Sequence, residues 1–232
     1  RQPIPQKQKP SLEQGNNIYL KKCAFCHGEK GKGDGVFINT TGIGVLTDDI
    51  ERGANKIQPG DKIIVSGTLG DHGVAIMSLR ENLTFETTIE SDSQSLHDLV
   101  KIMTEHTPEI CCMRDPTRGG LAATLNEIAL QADVGIQLYE DDIPIKQQVK
   151  SACEFLGLDP LYVANEGKLI AFCPADKADA LLAIMQSHPQ GIDAAIVGET
   201  FVDDNNFVQL KTSFGGMRMV DWINGEQLPR IC

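Results

Sequence analysis

The chain has 232 residues, is 41% hydrophobic with only 5% aromatic residues, and carries a formal net charge of −11. That is enough chain to bury a substantial core. The acidic balance and scarcity of aromatic rings argue against nucleic-acid binding, which leaves a basic footprint and stacking surfaces. No apolar run approaches the ~20 residues a spanning helix needs, so no membrane segment is expected. The charge is uneven: residues 1–33 hold seven Lys/Arg against two acidic groups, and the remainder fourteen against thirty. Such asymmetry suggests parts with separate origins or partners.

In chain order, residues 1–15 are rich in Pro, Gln and Lys without periodicity and read as a disordered lead. Residues 16–24 have a short helix's pattern and run into Cys23-Ala24-Phe25-Cys26-His27 and a glycine-punctuated loop, Gly28 to Gly35. Val36 to Val45 reads as a strand interrupted by Gly42 and Gly44. Gln58-Pro59-Gly60-Asp61 is a turn, and Lys62 to Gly67 a buried strand entering a glycine-rich loop. Helical spacing follows at Leu96, Leu99, Val100 and Met103, and again at Leu121, Leu125 and Ile128. Gly135–Glu140, Lys168–Cys173, Val197–Phe201 and Phe207–Thr212 read as strands, with helices over Lys146–Leu156 and Asp176–Met185. Intermixed helices and strands predict a layered α/β or α+β domain. The expected organisation is residues 1–33 as a lead plus fragment, 34–221 as the domain, and 222–232 as a flexible tail.

Seven cysteines are scattered, an odd number with Cys111 and Cys112 adjacent, which does not suit a disulfide framework and fits a reducing cytosol. Adjacent cysteines lack chelating spacing, so Cys111 and Cys112 are expected in the core, as are Cys153 and Cys173. Cys232 is different. It is the last residue, so its sulfur can swing into another site, and Arg230 supplies a counter-charge against the adjacent α-carboxylate. A frayed tail that happens to end in Cys is the competing reading.

Cys23-x-x-Cys26-His27 has the spacing of a c-type haem site, with two thiols for the vinyl groups and an axial imidazole. Residues 11–35 resemble the helix and haem-attachment turn of a class I cytochrome c. No axial Met segment or closing helix follows, so the segment reads either as a remnant or as the site of a covalently bound haem c in an electron-transfer protein, which would call for a periplasmic address.

From Gly33 onward the resemblance changes. The blocks Gly33 to Val45, Pro59-Gly60-Asp61, Val65-Ser66-Gly67-Thr68-Leu69-Gly70-Asp71-His72-Gly73, Met113 to Gly120, Asn165-Glu166-Gly167-Lys168 and Pro229-Arg230-Ile231-Cys232 occur in one order. Residues 33–232 thereby resemble the hydrogenase maturation factor HypE family. The resemblance implies a three-layer PurM-like (AIR synthase-related) C-terminal domain, without that family's N-terminal half and most of its nucleotide and dimer surface. It further implies a carbamoyl dehydratase in which a carbamoyl group on Cys232 is dehydrated with ATP and Mg2+ to a thiocyanate, the source of iron-bound cyanide. Glu166 is the candidate base, since protons must leave the amide nitrogen as phosphate departs. A turn carboxylate is the plainer reading of Glu166. Asp115, Thr117, Arg118, Gly119 and Gly120 stand at a helix entry, where backbone N–H groups and a guanidinium suit ATP phosphate; a capped helix start with a surface Arg fits as well. His72 reads as either a site residue or a loop-satisfying imidazole. The implied partners are a HypF-like carbamoyltransferase and a HypC–HypD-like scaffold, with a homodimer weakened by the missing half, all in the cytoplasm. A non-catalytic, partner-binding remnant is the remaining alternative.

Overall fold

The structure, a computed structural model, describes residues 51–80 and 89–222. Its centre is a seven-stranded mixed sheet. The strands are β1 (Lys62–Val65), β2 (Cys112–Arg114), β3 (Gly135–Tyr139), β4 (Ile170–Cys173), β5 (Ala195–Phe201), β6 (Val208–Lys211) and β7 (Met217–Met219). They lie side by side in the order β2-β4-β1-β5-β3-β6-β7. All neighbours are antiparallel except the β3–β6 pair.

Side-chain alternation along the strands divides the core. Ile63, Val65, Ile170 and Phe172 point to one face, where they pack with Leu121, Leu125 and Ile128 of α3 (Gly120–Ala132). Ile64, Ala171 and Cys173 point to the other. There they meet Leu99 and Met103 of α2 (His97–His106) and Leu181 and Met185 of α5 (Ala175–Gln186). Helix, sheet and helix give the three layers that the family resemblance implies. Phe172 is fully buried at the centre, and burying such a side chain contributes roughly 2–3 kcal/mol. A third cluster joins α1 (Asp71–Arg80) to α4 (Gln147–Leu156) through Val74, Met77, Val149, Cys153 and Val163.

The predicted turn at Gln58–Asp61 is present: Asp61 N–H donates to Gln58 O, and the Asp61 carboxylate accepts the Gln58 N–H at 2.8 Å. The predicted strands and helices within the described residues are found, with ends displaced by a residue or two. Three elements differ from expectation. Asp71-His72-Gly73, expected in a loop after a strand, opens α1. The three-residue strands β2 and β7 have no legible pattern; β7 is exposed along its whole length. Cys112, Cys153 and Cys173 are buried as expected, but Cys111 is only partly buried and reaches the Asp61 carboxylate. The expected helix at 16–24, the strand at 36–45, the Cys23-Cys26-His27 segment, and the tail with Arg230 and Cys232 lie outside the described residues. No described helix is long and apolar enough to cross a membrane.

Candidate functional site

Three of the sequence blocks meet around one buried amide. Asn165 Oδ1 accepts the Gly70 N–H at 2.8 Å, while its Nδ2 donates to the carbonyls of Pro116 (3.1 Å) and Val163 (3.0 Å). The Asn165 N–H also donates to Pro116 O. Asn165 thereby fastens together the loop leaving β1, the loop between β2 and α3, and the loop entering β4. A fully buried amide with its polar atoms satisfied is a strong local organiser.

The next residue, Glu166, has its backbone held and its carboxylate outside. Asp92 Oδ1 accepts the N–H groups of Glu166 (3.0 Å) and Gly167 (3.3 Å). The Asp92 side chain is 3% exposed, and its Oδ2 faces Lys168 Nζ across 3.8 Å with no hydrogen bond. Gln94 Nε2 donates to Gly167 O. Gly167 is required by close approach: a Cβ there would stand 1.8 Å from the Asp92 carbonyl oxygen. The Glu166 side chain is 36% exposed, and its Oε1 lies 4.0 Å from Nε2 of His72, in the first turn of α1. His72 Nδ1 is 2.8 Å from Ser91 Oγ.

The other end of α1 entry is also anchored. Asp71 is buried and pairs with Lys146 Nζ at 3.0 Å while accepting from Thr68 Oγ1. Leu69 N–H donates to Pro144 O, and Gly73 N–H to Ala164 O. The His72 ring is therefore mounted on a helix whose first turn is tied on two sides.

At the Asp115–Gly120 loop, Thr117 Oγ1 donates to Asp115 Oδ2 at 3.1 Å, and Arg118 is exposed. Gly119 and Gly120 both take left-handed backbone angles, φ +73° and +62°. The Gly120 N–H is already donated to Thr117 O, and a Cβ on Gly120 would lie 2.5 Å from Leu161 O. Gly120 thus has a packing role that the phosphate-loop reading did not anticipate. No side chain caps the start of α3.

Burial works against the described thiols as nucleophiles. Burial, with the Asp61 carboxylate adding to it, pushes the Cys111 thiol up to about 12 and Cys173 to about 12. Burial raises Cys153 to about 11, and it also raises Cys112. Protonated thiols of this kind stay unreactive near neutrality. Among the described residues no group of three or more His, Cys, Asp or Glu side chains is placed to hold a metal ion.

Residues 58–211 match the family model for the AIR synthase related protein, C-terminal domain. The chain belongs to that family. Within it the resemblance is to HypE proteins: the chain is 61% identical over 204 residues to carbamoyl dehydratase HypE of Azotobacter vinelandii, covering 88% of this chain and 60% of that protein. It is 42% identical over 204 residues to carbamoyl dehydratase HypE of Escherichia coli K12, with the same coverage, 88% and 60%. A crystal structure of HypE in complex with ATP superposes with a TM-score of 0.74 at 42% identity, covering 78% of this chain and 55% of that one. A HypE–HypF complex gives 0.73 at 44% identity, covering 76% and 57%. The chain spans about 60% of the length of the curated relatives it matches. It is a HypE-like AIR synthase-related domain. These comparisons lend no support to the c-type haem reading of Cys23, Cys26 and His27.

The sequence blocks singled out Glu166 and the Asp115–Gly120 loop, and the structure brings both to the Asn165 junction. Asp92 and Ser91 were missed. They lie in a polar stretch without periodicity, 74 and 19 residues from their partners Glu166 and His72, and only the fold reveals the contacts.

Proposed function

We propose that this chain is the thiol- and base-bearing part of a HypE-like carbamoyl dehydratase, acting in the cytoplasm in the maturation of hydrogenase. Cys232 carries the carboxamide. The amide oxygen takes the γ-phosphoryl group of ATP, releasing ADP and a first N–H proton to solvent, and Glu166 takes the second N–H proton as phosphate departs, leaving a thiocyanate on the sulfur. The observation that carries this reading is the Asn165–Asp92 arrangement. It pins the backbone around Glu166 while leaving its carboxylate partly exposed beside the two other family blocks.

Ten residues separate Trp222 from Cys232. Fully extended they span up to ~35 Å, and the stretch starts beside Tyr162, which lies four residues before Glu166 and whose Oη donates to Asp221 O at 2.9 Å. The raised thiols of Cys111, Cys153 and Cys173 argue against a nucleophile's role for these three.

ATP phosphates fit the Asp115–Gly120 loop through Arg118 and through backbone N–H groups at the uncapped start of α3. Mg2+ that arrives with a nucleotide takes phosphate oxygens, water and one or two carboxylates. Exposed Asp115 is the carboxylate in that loop suited to the role. Bound there, the ion would neutralise charge on the phosphates. A HypF-like transferase supplies the carbamoyl group, and a HypC–HypD-like scaffold receives the cyanide. Self-association as a homodimer belongs to the same reading.

Phosphate release tests the proposal. Given ATP, Mg2+, a carbamoyl donor and a HypF-like transferase, the protein should release phosphate in proportion to carbamoylated Cys232. A Cys232→Ala variant should release none beyond the transferase background. Equal release by both proteins contradicts the reading.

A further inference from the structure

His72 faces Glu166 across 4.0 Å, and no step above employs it. The ring sits in the first turn of α1, 13% exposed at the side chain, with Nε2 4.0 Å from Glu166 Oε1. On its other edge Nδ1 is 2.8 Å from Ser91 Oγ, which also accepts the Ser93 N–H at 3.1 Å. Of the nearby charges, Asp71 pairs with Lys146 at 3.0 Å, and Asp92 faces Lys168 at 3.8 Å.

We propose that His72 is a positioning residue for Glu166, held by Ser91 as the tautomer whose bare Nε2 takes over the proton that Glu166 removes from the amide nitrogen. The inference rests on Glu166 being the base. The carboxamide nitrogen gives up two protons: the first leaves to solvent as the amide oxygen takes the γ-phosphoryl group and ADP departs. As the C–O bond to phosphate then breaks and the C≡N bond forms, the second goes to the Glu166 carboxylate. The resulting carboxylic acid passes it to neutral Nε2, giving an imidazolium and restoring the carboxylate. The imidazolium then loses the proton to solvent. In this arrangement Ser91 Oγ, which takes the Ser93 N–H on one lone pair, takes Nδ1–H on the other, and Nε2 carries no proton. The 4.0 Å gap is longer than a hydrogen bond, and catalytic contacts of this kind tighten on substrate binding. Without the relay, Glu166 must discharge its proton to bulk water before the next turnover.

Two measurements on the full chain decide the matter. In ¹⁵N-detected NMR the imidazole missing from His72→Gln identifies His72. Its neutral form should show a bare Nε2, and Glu166→Gln should lower its titration midpoint, because a carboxylate facing the ring favours imidazolium. The His97, His106 and His188 midpoints should not move. An unchanged His72 midpoint, or a protonated Nε2 in the neutral form, overturns the proposal without touching the dehydratase reading, since neither signal needs ATP. In the dehydration assay wild-type rate should rise with pH through the His72 midpoint. His72→Gln should lose that limb and fall about tenfold, less than the ~100-fold or more expected for loss of the base itself. The ATP KM should stay unchanged. A His72→Gln variant with the wild-type pH profile also overturns it. If the wild-type carbamoylated Cys232 never loses water while the NMR coupling is present, the function proposal fails and the His72–Glu166 pair stands as geometry alone.

Discussion

Asn165 Oδ1 accepts the Gly70 N–H at 2.8 Å, joining two residues that lie 95 apart in the chain. Its Nδ2 reaches Pro116 and Val163 in the same buried position. This amide, rather than an element of regular structure, sets the relative placement of the three loops around Glu166.

Asn165→Ala should therefore be costly. It leaves the Gly70 donor and the Val163 carbonyl without partners in a buried place, while Pro116 O keeps the Asn165 backbone N–H. Each unsatisfied group costs about 1–3 kcal/mol, so a total loss of about 2 kcal/mol or more is expected in urea denaturation. Asn165→Asp keeps the acceptor but loses both Nδ2 donations, and it should be destabilised as well. Wild-type stability in either variant would show that the junction is not organised by this side chain.

Gly167→Ala tests the Asp92 clamp. The added Cβ would overlap the Asp92 carbonyl oxygen at 1.8 Å, so the segment carrying Asp92 must move. Overpacking of this kind costs typically about 1–3 kcal/mol. Asp92 should lose its grip on the Glu166 N–H, and amide hydrogen exchange at Glu166 and Gly167 should speed up. Unchanged protection at both amides contradicts the clamp.

The buried thiols predict an alkaline weakness. Cys111 and Cys173 have folded-state values of about 12, above the ordinary thiol value. Below that ordinary value both folded and unfolded thiols are protonated, and stability is intact. As pH rises above it, only the unfolded chain releases its protons, so stability falls progressively up to about 12. Tyr139, raised by its hydrogen bond to Glu199, and Tyr162, raised by burial, push in the same direction. Thermal melting from neutral pH to pH 10.5 or so should show a steady decline, less steep in Cys111→Ala. Parallel declines in the two proteins would mean that Cys111 does not contribute.

Much of the sheet was legible because buried strands announce themselves. Ile63-Ile64-Val65 and Ile170-Ala171-Phe172-Cys173 are unbroken apolar runs with both faces covered by helices. Helix α1 was not legible, because it opens with Asp71-His72-Gly73 and packs on several sides rather than along one stripe. Gly73 looks like loop punctuation, yet a Cβ there would stand 2.3 Å from Val163 Cγ1. Strand β7 escaped because none of its three residues is buried, so no alternation marks it. At the site, Glu166 and the Asp115–Gly120 loop could be named from family blocks. Asp92 and Ser91 could not, since their roles depend on a polar segment folding back onto loops that are distant in sequence.

Mass spectrometry of the Cys232 peptide tests the central claim most directly. After incubation with ATP, Mg2+, a carbamoyl donor and a HypF-like transferase, the wild-type peptide should appear first carbamoylated and then lighter by one water. The Glu166→Gln protein should stop at the carbamoylated form. A wild-type peptide that keeps its water under these conditions, or a Glu166→Gln peptide that loses it at the wild-type rate, would contradict the account.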